Sequence, residues 1–123
     1  MIVGIGVDCT SVSRLAASIQ RPHFVQRVFG QAEQALLQSR GGRAAETAAA
    51  NFAAKEAFLK AVGTGLGGFA LADIQAVRRE SGAPEYLFSG SAAEYMAARG
   101  LQAHLSLTHE GDLATAFCVL EKT

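Results

Sequence analysis

Two segments carry residues that could perform phosphate-ester chemistry. Residues 4–8 (GIGVD) are typical of a short apolar strand that ends on the Asp8 carboxylate. Residues 52–61 (FAAKEAFLKA) are typical of a helix that carries Glu56 and Lys60. If the fold brings Asp8 and Glu56 together, they form a site for a hard cation with Lys60 beside it. Magnesium typically takes one or two protein carboxylates and completes its coordination with phosphate and water, so these residues predict a magnesium site.

Helical spacing supports this arrangement but leaves simpler interpretations open. Residues four apart lie about 40° apart around a helix, so Glu56 and Lys60 share a face. Lys55 is rotated about 100° from Glu56 and is expected to point elsewhere. Glu56 and Lys60 could instead form an ordinary surface ion pair. Asp8 could instead cap a helix that starts near Ser11.

The remaining pattern predicts alternating strands and helices. Phe52, Leu59 and Val62 form the apolar stripe that should bury the helix around Glu56, and Phe58 is less well placed for it. The predicted helices span residues 11–20, 22–29, 31–39, 43–62 and 91–99. The predicted strands span residues 1–8, 72–80, 84–89, 102–108 and 113–120. We therefore expect an α+β fold with a largely antiparallel sheet packed on one long helix.

Length and composition limit the class of protein. The chain has 123 residues, half of them hydrophobic, and is expected to form a single domain over 1–123. No apolar run approaches the roughly 20 residues that span a bilayer. The start lacks a basic segment and a cleavage site, so no signal peptide is expected and the protein should be cytoplasmic. Cys9 and Cys118 then should be buried, reduced thiols, with a single disulfide as the alternative.

Charge is balanced overall but unevenly distributed. The net charge of zero argues against a general polyanion binder. Between Ser11 and Arg43 there are five arginines and one acid, Glu33, whereas seven acids and four basic residues follow from Val62 onward. The amino-terminal helical region should therefore present a positive surface. This surface could be a dock for an acidic partner or simply a solvated face.

Several motifs in a fixed order resemble the phosphopantetheinyl transferase superfamily, and within it the small bacterial branch of holo-[acyl-carrier-protein] synthases. That family begins with G-I-G-x-D and continues, some forty residues later, with F-A-A-K-E-A and a lysine four residues after the glutamate. The matching segments are residues 4–8, residues 52–57 and Lys60. The resemblance continues at residues 63–67 (GTGLG), 82–84 (GAP) and 104–109 (HLSLTH). It covers nearly the whole chain.

The resemblance implies an activity and a mechanism. The enzyme would transfer 4′-phosphopantetheine from coenzyme A to a serine of apo acyl carrier protein and release adenosine 3′,5′-bisphosphate. Asp8 and Glu56 would hold Mg2+, and Asp8, Glu56 and Lys60 would be the catalytic residues. Lys60 would neutralise charge or act as general base, with a water on the cation as the rival base. Fatty-acid carriers, polyketide carriers and carrier domains of large synthases all fit as acceptors.

The resemblance also assigns binding residues. The carrier protein would contact Arg14 and Arg27, and the active form would be a homotrimer with its sites between subunits. Residues expected to contact coenzyme A are Lys60, Gly63, Thr64, Gly65, Gly82, Pro84, Thr108 and His109.

One position departs from the family pattern, and two other functions remain open. Asn51 stands directly before Phe52, where the family often has an arginine suited to a coenzyme A phosphate, so that contact is expected to be weaker or to pass to Arg43 or another arginine. A magnesium-dependent phosphohydrolase would use the same carboxylates but would need no carrier surface. A non-catalytic module that binds acidic partners would explain the arginines but not the grouping of Asp8, Glu56 and Lys60.

Overall fold

A computed structural model describes residues 1–63 and 68–123. Five helices and five strands occur over these residues. The helices are α1 (Val12–Ser18), α2 (Pro22–Val28), α3 (Gln31–Arg40), α4 (Ala44–Val62) and α5 (Gly90–Arg99). The strands are β1 (Ile2–Ser11), β2 (Ile74–Arg78), β3 (Pro84–Phe88), β4 (Leu101–Glu110) and β5 (Leu113–Lys122). Short 3₁₀ turns precede α4 and β2, at Gly41–Arg43 and Leu71–Asp73.

The strands form two antiparallel sheets. The larger sheet has the order β1-β5-β4, and β2 and β3 form a separate hairpin. In the larger sheet Val7 pairs with Phe117 and Asp8 pairs with Ala116. The expected α+β fold, with antiparallel strands packed on the long helix α4, is confirmed.

Helix α4 lies so close to β1 that the strand needs glycine at two positions. Gly4 and Gly6 occupy alternate positions of β1 and face the helix. A methyl group at either position would overlap a backbone carbonyl oxygen, that of Ala61 at Gly4 and that of Ala57 at Gly6. The two glycines therefore allow the backbone of β1 to approach α4 and bring the next inward position, Asp8, beside the helix.

The expectation for Phe58 was wrong, because both sheets contribute to the burial of α4. Phe58 is fully buried, and its ring centroid lies 4.8 Å from that of Phe88 on β3. Leu59 is also buried, as expected, whereas Phe52 and Val62 are only partly buried. An apolar stripe on one side of α4 is enough to pack against the larger sheet, but the β2–β3 hairpin also covers a second side of the helix.

The structure excludes the alternative role of Asp8 and corrects the expectation for Cys9. Asp8 does not cap a helix: β1 continues three residues further, and the side chain of Ser11 accepts the capping hydrogen bond from the backbone N–H of Arg14. The two cysteines are free, but only Cys118 is buried, because Cys9 points to the outer face of the sheet. Burial raises the pKa of the Cys118 thiol to about 11. No helix in the described part of the chain is long and apolar enough to cross a membrane.

Candidate functional site

The sheet and the helix bring Asp8 and Lys60 together. The Lys60 ammonium donates to Asp8 Oδ1 at 3.2 Å and to the backbone carbonyl of Val7 at 2.9 Å. The other oxygen of Asp8 accepts a hydrogen bond from the Thr10 hydroxyl at 3.1 Å. The Lys60 side chain is 57% exposed and that of Asp8 is 18% exposed. This carboxylate is therefore fixed in orientation at the edge of the sheet and remains reachable from solvent.

Glu56 lies within electrostatic reach of the same pair. Partial burial raises the pKa of the Glu56 carboxyl, and the negative charge of Asp8 raises it further. The positive charges of Lys60 and Arg14 lower it. Asp8 and Glu56 therefore lie close enough to repel each other, with the positive charge of Lys60 beside both. We call these three residues the carboxylate site.

The donor set of the carboxylate site fits a hard divalent cation. Two carboxylates at a half-exposed edge suit Mg2+, which keeps much of its coordination for water and phosphate oxygens. A cation between them would remove the repulsion between Asp8 and Glu56. Across residues 1–63 and 68–123, no group of three or more acidic, histidine or cysteine side chains is arranged to hold a metal.

Arg14 lies at the rim of the carboxylate site. It is exposed in α1, and its guanidinium carbon lies 5.2 Å from the centre of the Phe52 ring. Phe52 leaves α4 one turn before Glu56, which explains why Arg14 acts on the pKa of Glu56. Arg27 is also exposed, on the next helix α2.

Lys55 belongs to a buried network on another side of α4. Its ammonium pairs with Glu33 and donates to the backbone carbonyls of Leu71 and Ile74. Lys55 and Glu33 are both fully buried. This confirms that Lys55 points away from Glu56, and it ties α3, α4 and the start of β2 together.

The residues predicted at the end of β4 line a separate cleft. His109 and Thr108 contribute to it, together with three arginines, Arg40, Arg43 and Arg78, and the cleft has a volume of about 190 Å³. We call it the arginine cleft. His109 Nε2 lies 3.3 Å from Glu46 Oε1, near the start of α4. Arg40 and Arg43 of the amino-terminal half thus line this cleft, whereas Arg14 lies at the rim of the carboxylate site.

The carboxylate site and the arginine cleft lie on different flanks of α4. Asn51 is hydrogen-bonded to Arg78, which lines the cleft, and Glu56 belongs to the carboxylate site. Five residues separate them, so their side chains leave the helix about 140° apart. Within one chain, therefore, the structure does not bring His109 and Thr108 to the carboxylate site.

The other residues expected at coenzyme A fall at two turns. Gly82 has a positive φ of 93° in the turn between β2 and β3, and Pro84 is the register partner of Arg78. Gly63 ends α4 in a left-handed conformation, as a helix C-cap. Thr64 and Gly65 lie outside the described residues.

Sequence reasoning did not identify Arg78 or the role of Asn51. Asn51 is fully buried, and its side-chain oxygen accepts a hydrogen bond from Arg78 Nη2 at 2.9 Å. The signal for Arg78 was present in the alternation of β2, because Arg78 shares a face with the buried residues Ile74 and Ala76. An arginine on an inward face needs a partner or a ligand.

The comparisons with known proteins agree with this fold and with the motifs. A sequence model of the 4′-phosphopantetheinyl transferase superfamily matches residues 4–118. The holo-[acyl-carrier-protein] synthase of Clavibacter michiganensis is 46% identical over 123 residues, which cover 98% of this chain and 97% of that protein.

Solved structures extend the likeness to three dimensions. The crystal structure of holo-[acyl-carrier-protein] synthase from Neisseria meningitidis matches with a TM-score of 0.90 and 32% identity over 99% of this chain and 100% of that one. The holo-(acyl-carrier-protein) synthase of Bacillus anthracis, solved in complex with CoA (3′,5′-ADP), matches with a TM-score of 0.84 and 34% identity over 100% and 99% of the two chains. The chain therefore belongs to the 4′-phosphopantetheinyl transferase superfamily, as a member of its family of holo-[acyl-carrier-protein] synthase enzymes.

Proposed function

We propose that this enzyme transfers 4′-phosphopantetheine from coenzyme A to a serine hydroxyl of apo acyl carrier protein, with Mg2+ bound by Asp8 and Glu56. The observation that carries the proposal is the convergence of Asp8, Glu56 and Lys60, in which Lys60 Nζ lies 3.2 Å from Asp8 Oδ1. A bound Mg2+ would neutralise charge on the pyrophosphate and hold it in place.

The reaction is a direct phosphoryl transfer. The serine oxygen forms a bond to the phosphorus that carries the pantetheine arm and gives up its proton to water, and the bond from this phosphorus to the bridging oxygen breaks. Adenosine 3′,5′-bisphosphate leaves with the electron pair. Lys60 provides positive charge beside the pyrophosphate as charge develops on the leaving group, while its bonds to Val7 and Asp8 hold the ammonium in position.

The carrier protein would approach the rim of the carboxylate site. Arg14 is exposed, close to Glu56, and braced on the Phe52 ring. Arg27 is exposed on the adjoining helix α2. We assign both arginines to the acidic carrier, because opposite charge at the edge of a site steers a partner toward it. The serine would then be presented from the side on which Arg14 lies.

Coenzyme A needs more than one flank of α4. The pyrophosphate belongs at the carboxylate site, whereas Thr108 and His109 line the arginine cleft on another flank, and Pro84 is the register partner of Arg78 in its wall. We propose that coenzyme A lies between two chains of a homotrimer, in which each site combines the carboxylate site of one subunit with the arginine cleft of its neighbour. A closed ring of three identical contacts makes three such sites.

Mass spectrometry of an apo carrier protein tests the activity. After incubation with coenzyme A, Mg2+ and the enzyme, the carrier should gain the mass of one phosphopantetheine group, and chelation of the metal should prevent the gain. A second incubation without carrier distinguishes a phosphohydrolase, which would release pantetheine phosphate from coenzyme A alone. No adduct on any class of apo carrier would contradict the proposal.

A further inference from the structure

The arginine cleft holds more positive charge than its own acid can balance. Arg40, Arg43 and Arg78 line it, and the acid in its wall is Glu46, which is paired with His109. Burial and the positive charge of Arg40 lower the pKa of the Arg78 guanidinium, so the two arginines lie close enough to repel. An anion in the cleft would relieve that repulsion.

The Arg78 guanidinium is held in place by one side chain. Its Nη2 donates to Asn51 Oδ1 at 2.9 Å, and its Nη1 donates to the carbonyl of Val77 at 3.3 Å. A guanidinium has five N–H donors, so further donors remain for a ligand.

Asn51 is itself fixed by the buried network of Lys55 and Glu33. Its amide donates to Glu33 Oε2 and to the carbonyl of Ala76, both at 2.9 Å. With both donors used inward, the side-chain oxygen must point toward Arg78. Asn51 is therefore a positioning residue, and it orients the guanidinium at the wall of the arginine cleft.

We propose that Arg78, oriented by Asn51, binds the 3′-phosphate of coenzyme A and makes the enzyme selective for coenzyme A over 3′-dephospho-coenzyme A. The inference rests on the proposed function, because it assumes that coenzyme A is the donor. The pyrophosphate is assigned to the carboxylate site, which leaves the phosphomonoester as the anionic group for the arginine cleft. A phosphomonoester carries a charge of about −1.5 to −2 at neutral pH and accepts paired hydrogen bonds from a guanidinium.

This assignment gives the asparagine at position 51 a physical role. An arginine at this position of α4 would have to displace the bonds by which Asn51 joins Glu33, Ala76 and Arg78. In this chain the helix instead supplies the amide that orients a guanidinium from β2. The positive group thus reaches the cleft from the hairpin rather than from α4.

Steady-state kinetics with coenzyme A and 3′-dephospho-coenzyme A test the proposal. Arg78→Ala should raise the KM for coenzyme A by about tenfold or more, the change expected on losing a charged hydrogen bond. It should leave kcat and the KM for 3′-dephospho-coenzyme A nearly unchanged. Arg79→Ala is the matched control, since Arg79 is the neighbouring arginine but pairs with Glu85 on the exposed side of the hairpin. This variant should keep the wild-type preference.

Asn51→Ala should also lower the preference for coenzyme A over 3′-dephospho-coenzyme A. The double variant should lose no more of this preference than Arg78→Ala alone, because both residues act through one guanidinium. Calorimetry with adenosine 3′,5′-bisphosphate and adenosine 5′-monophosphate gives a readout without turnover, in which only the affinity for the bisphosphate should fall.

Three results would overturn the proposal. If Arg78→Ala raised the KM equally for coenzyme A and 3′-dephospho-coenzyme A, the role of Arg78 would be structural. If it raised only the KM for the carrier protein, the arginine cleft would bind carboxylates of that partner instead. An Arg78→Ala variant that keeps the wild-type preference would show that the 3′-phosphate binds elsewhere. Failure of the wild type to transfer from either coenzyme would instead contradict the proposed function, so the two failures are distinguishable.

Discussion

Two lysines on the same helix have different roles because their surroundings differ. Lys55 is fully buried, and burial lowers the pKa of its ammonium while the charge of Glu33 opposes that shift. Lys60 lies five residues later and is 57% exposed beside Asp8. Removing a partner from a buried ion pair leaves an uncompensated charge, whereas removing an exposed lysine does not. The first lysine should therefore support stability and the second the reaction.

Substitution of each lysine by alanine tests this division. Lys60→Ala should reduce turnover by at least about tenfold, a loss of about 1.4 kcal/mol in transition-state stabilisation, with little change in the denaturant midpoint. Lys55→Ala should reduce the free energy of unfolding by about 3–5 kcal/mol. Urea unfolding and transfer assays on both variants measure the two effects. Equal turnover of Lys60→Ala and wild type would contradict the role of Lys60.

The raised pKa of Glu56 predicts how metal binding depends on pH. The proton and Mg2+ compete for the ionised carboxylate, so Mg2+ affinity should fall as the pH decreases. Because burial and Asp8 raise the pKa above the ordinary 4.5, the fall should begin at a higher pH than for an exposed glutamate. Calorimetric Mg2+ titrations between about pH 5 and pH 8 measure this. A Mg2+ affinity that stays constant down to about pH 5 would contradict the role of Glu56 as a ligand.

At the scale of elements, the approach of β1 to α4 sets the geometry of the carboxylate site. Gly6→Ala should force the strand away from the Ala57 carbonyl, which moves Asp8 relative to Glu56. Overpacking of this kind costs about 1–3 kcal/mol, and transfer should fall along with stability. Gly42→Ala is the control, because a methyl group there meets no atom within 4 Å. Wild-type stability and activity of Gly6→Ala would show that β1 and α4 do not need this contact.

Local patterns predicted most of the elements, and long-range packing explains the rest. The end of α4 was predictable because Gly63 is a C-cap, and Pro22 starts α2 as expected. The burial of Phe58 was not predictable, because it depends on aromatic residues of β3, which begins at Pro84, more than 20 residues later in the sequence.

Some residues of the candidate site could likewise be predicted from local patterns, whereas others depend on long-range packing. Glu56 and Lys60 could be paired from helical spacing alone, and Asp8 was joined to them by the order of the motifs. The pair of Asn51 and Arg78 could not be predicted, since 27 residues separate them and no periodicity relates a helix to a strand of another sheet.

At the scale of the whole molecule, the outer face of the larger sheet is unusually apolar. Ile5, Val7 and Phe117 are 62%, 52% and 44% exposed, and Val7 and Phe117 are neighbours in register. A cleft borders these residues and Lys60. Exposed apolar patches of this kind mark interaction surfaces. A second copy on this face would meet the chain beside its carboxylate site, as the proposed trimer requires.

The trimer can be tested with one substitution on that face. Phe117→Asp should shift the molar mass measured by light scattering from three chains toward one, and activity should fall with it, because each site uses two subunits. Leu87→Asp is a matched control, since Leu87 is similarly exposed, at 47%, but lies on the β2–β3 hairpin. A fully active wild-type monomer at assay concentration would contradict the proposed assembly.

The most direct test of the central claim is the mass of the carrier protein after reaction with variants of the two carboxylates. Asp8→Asn and Glu56→Gln keep the size of each side chain but remove its charge, and Glu94→Gln provides an exposed control on α5. At Mg2+ concentrations that saturate the wild type, we expect a phosphopantetheine adduct with wild type and Glu94→Gln and none with the other two, all four proteins being folded. Near-normal adduct formation by Asp8→Asn or Glu56→Gln would contradict the role of these carboxylates as the metal ligands of the reaction.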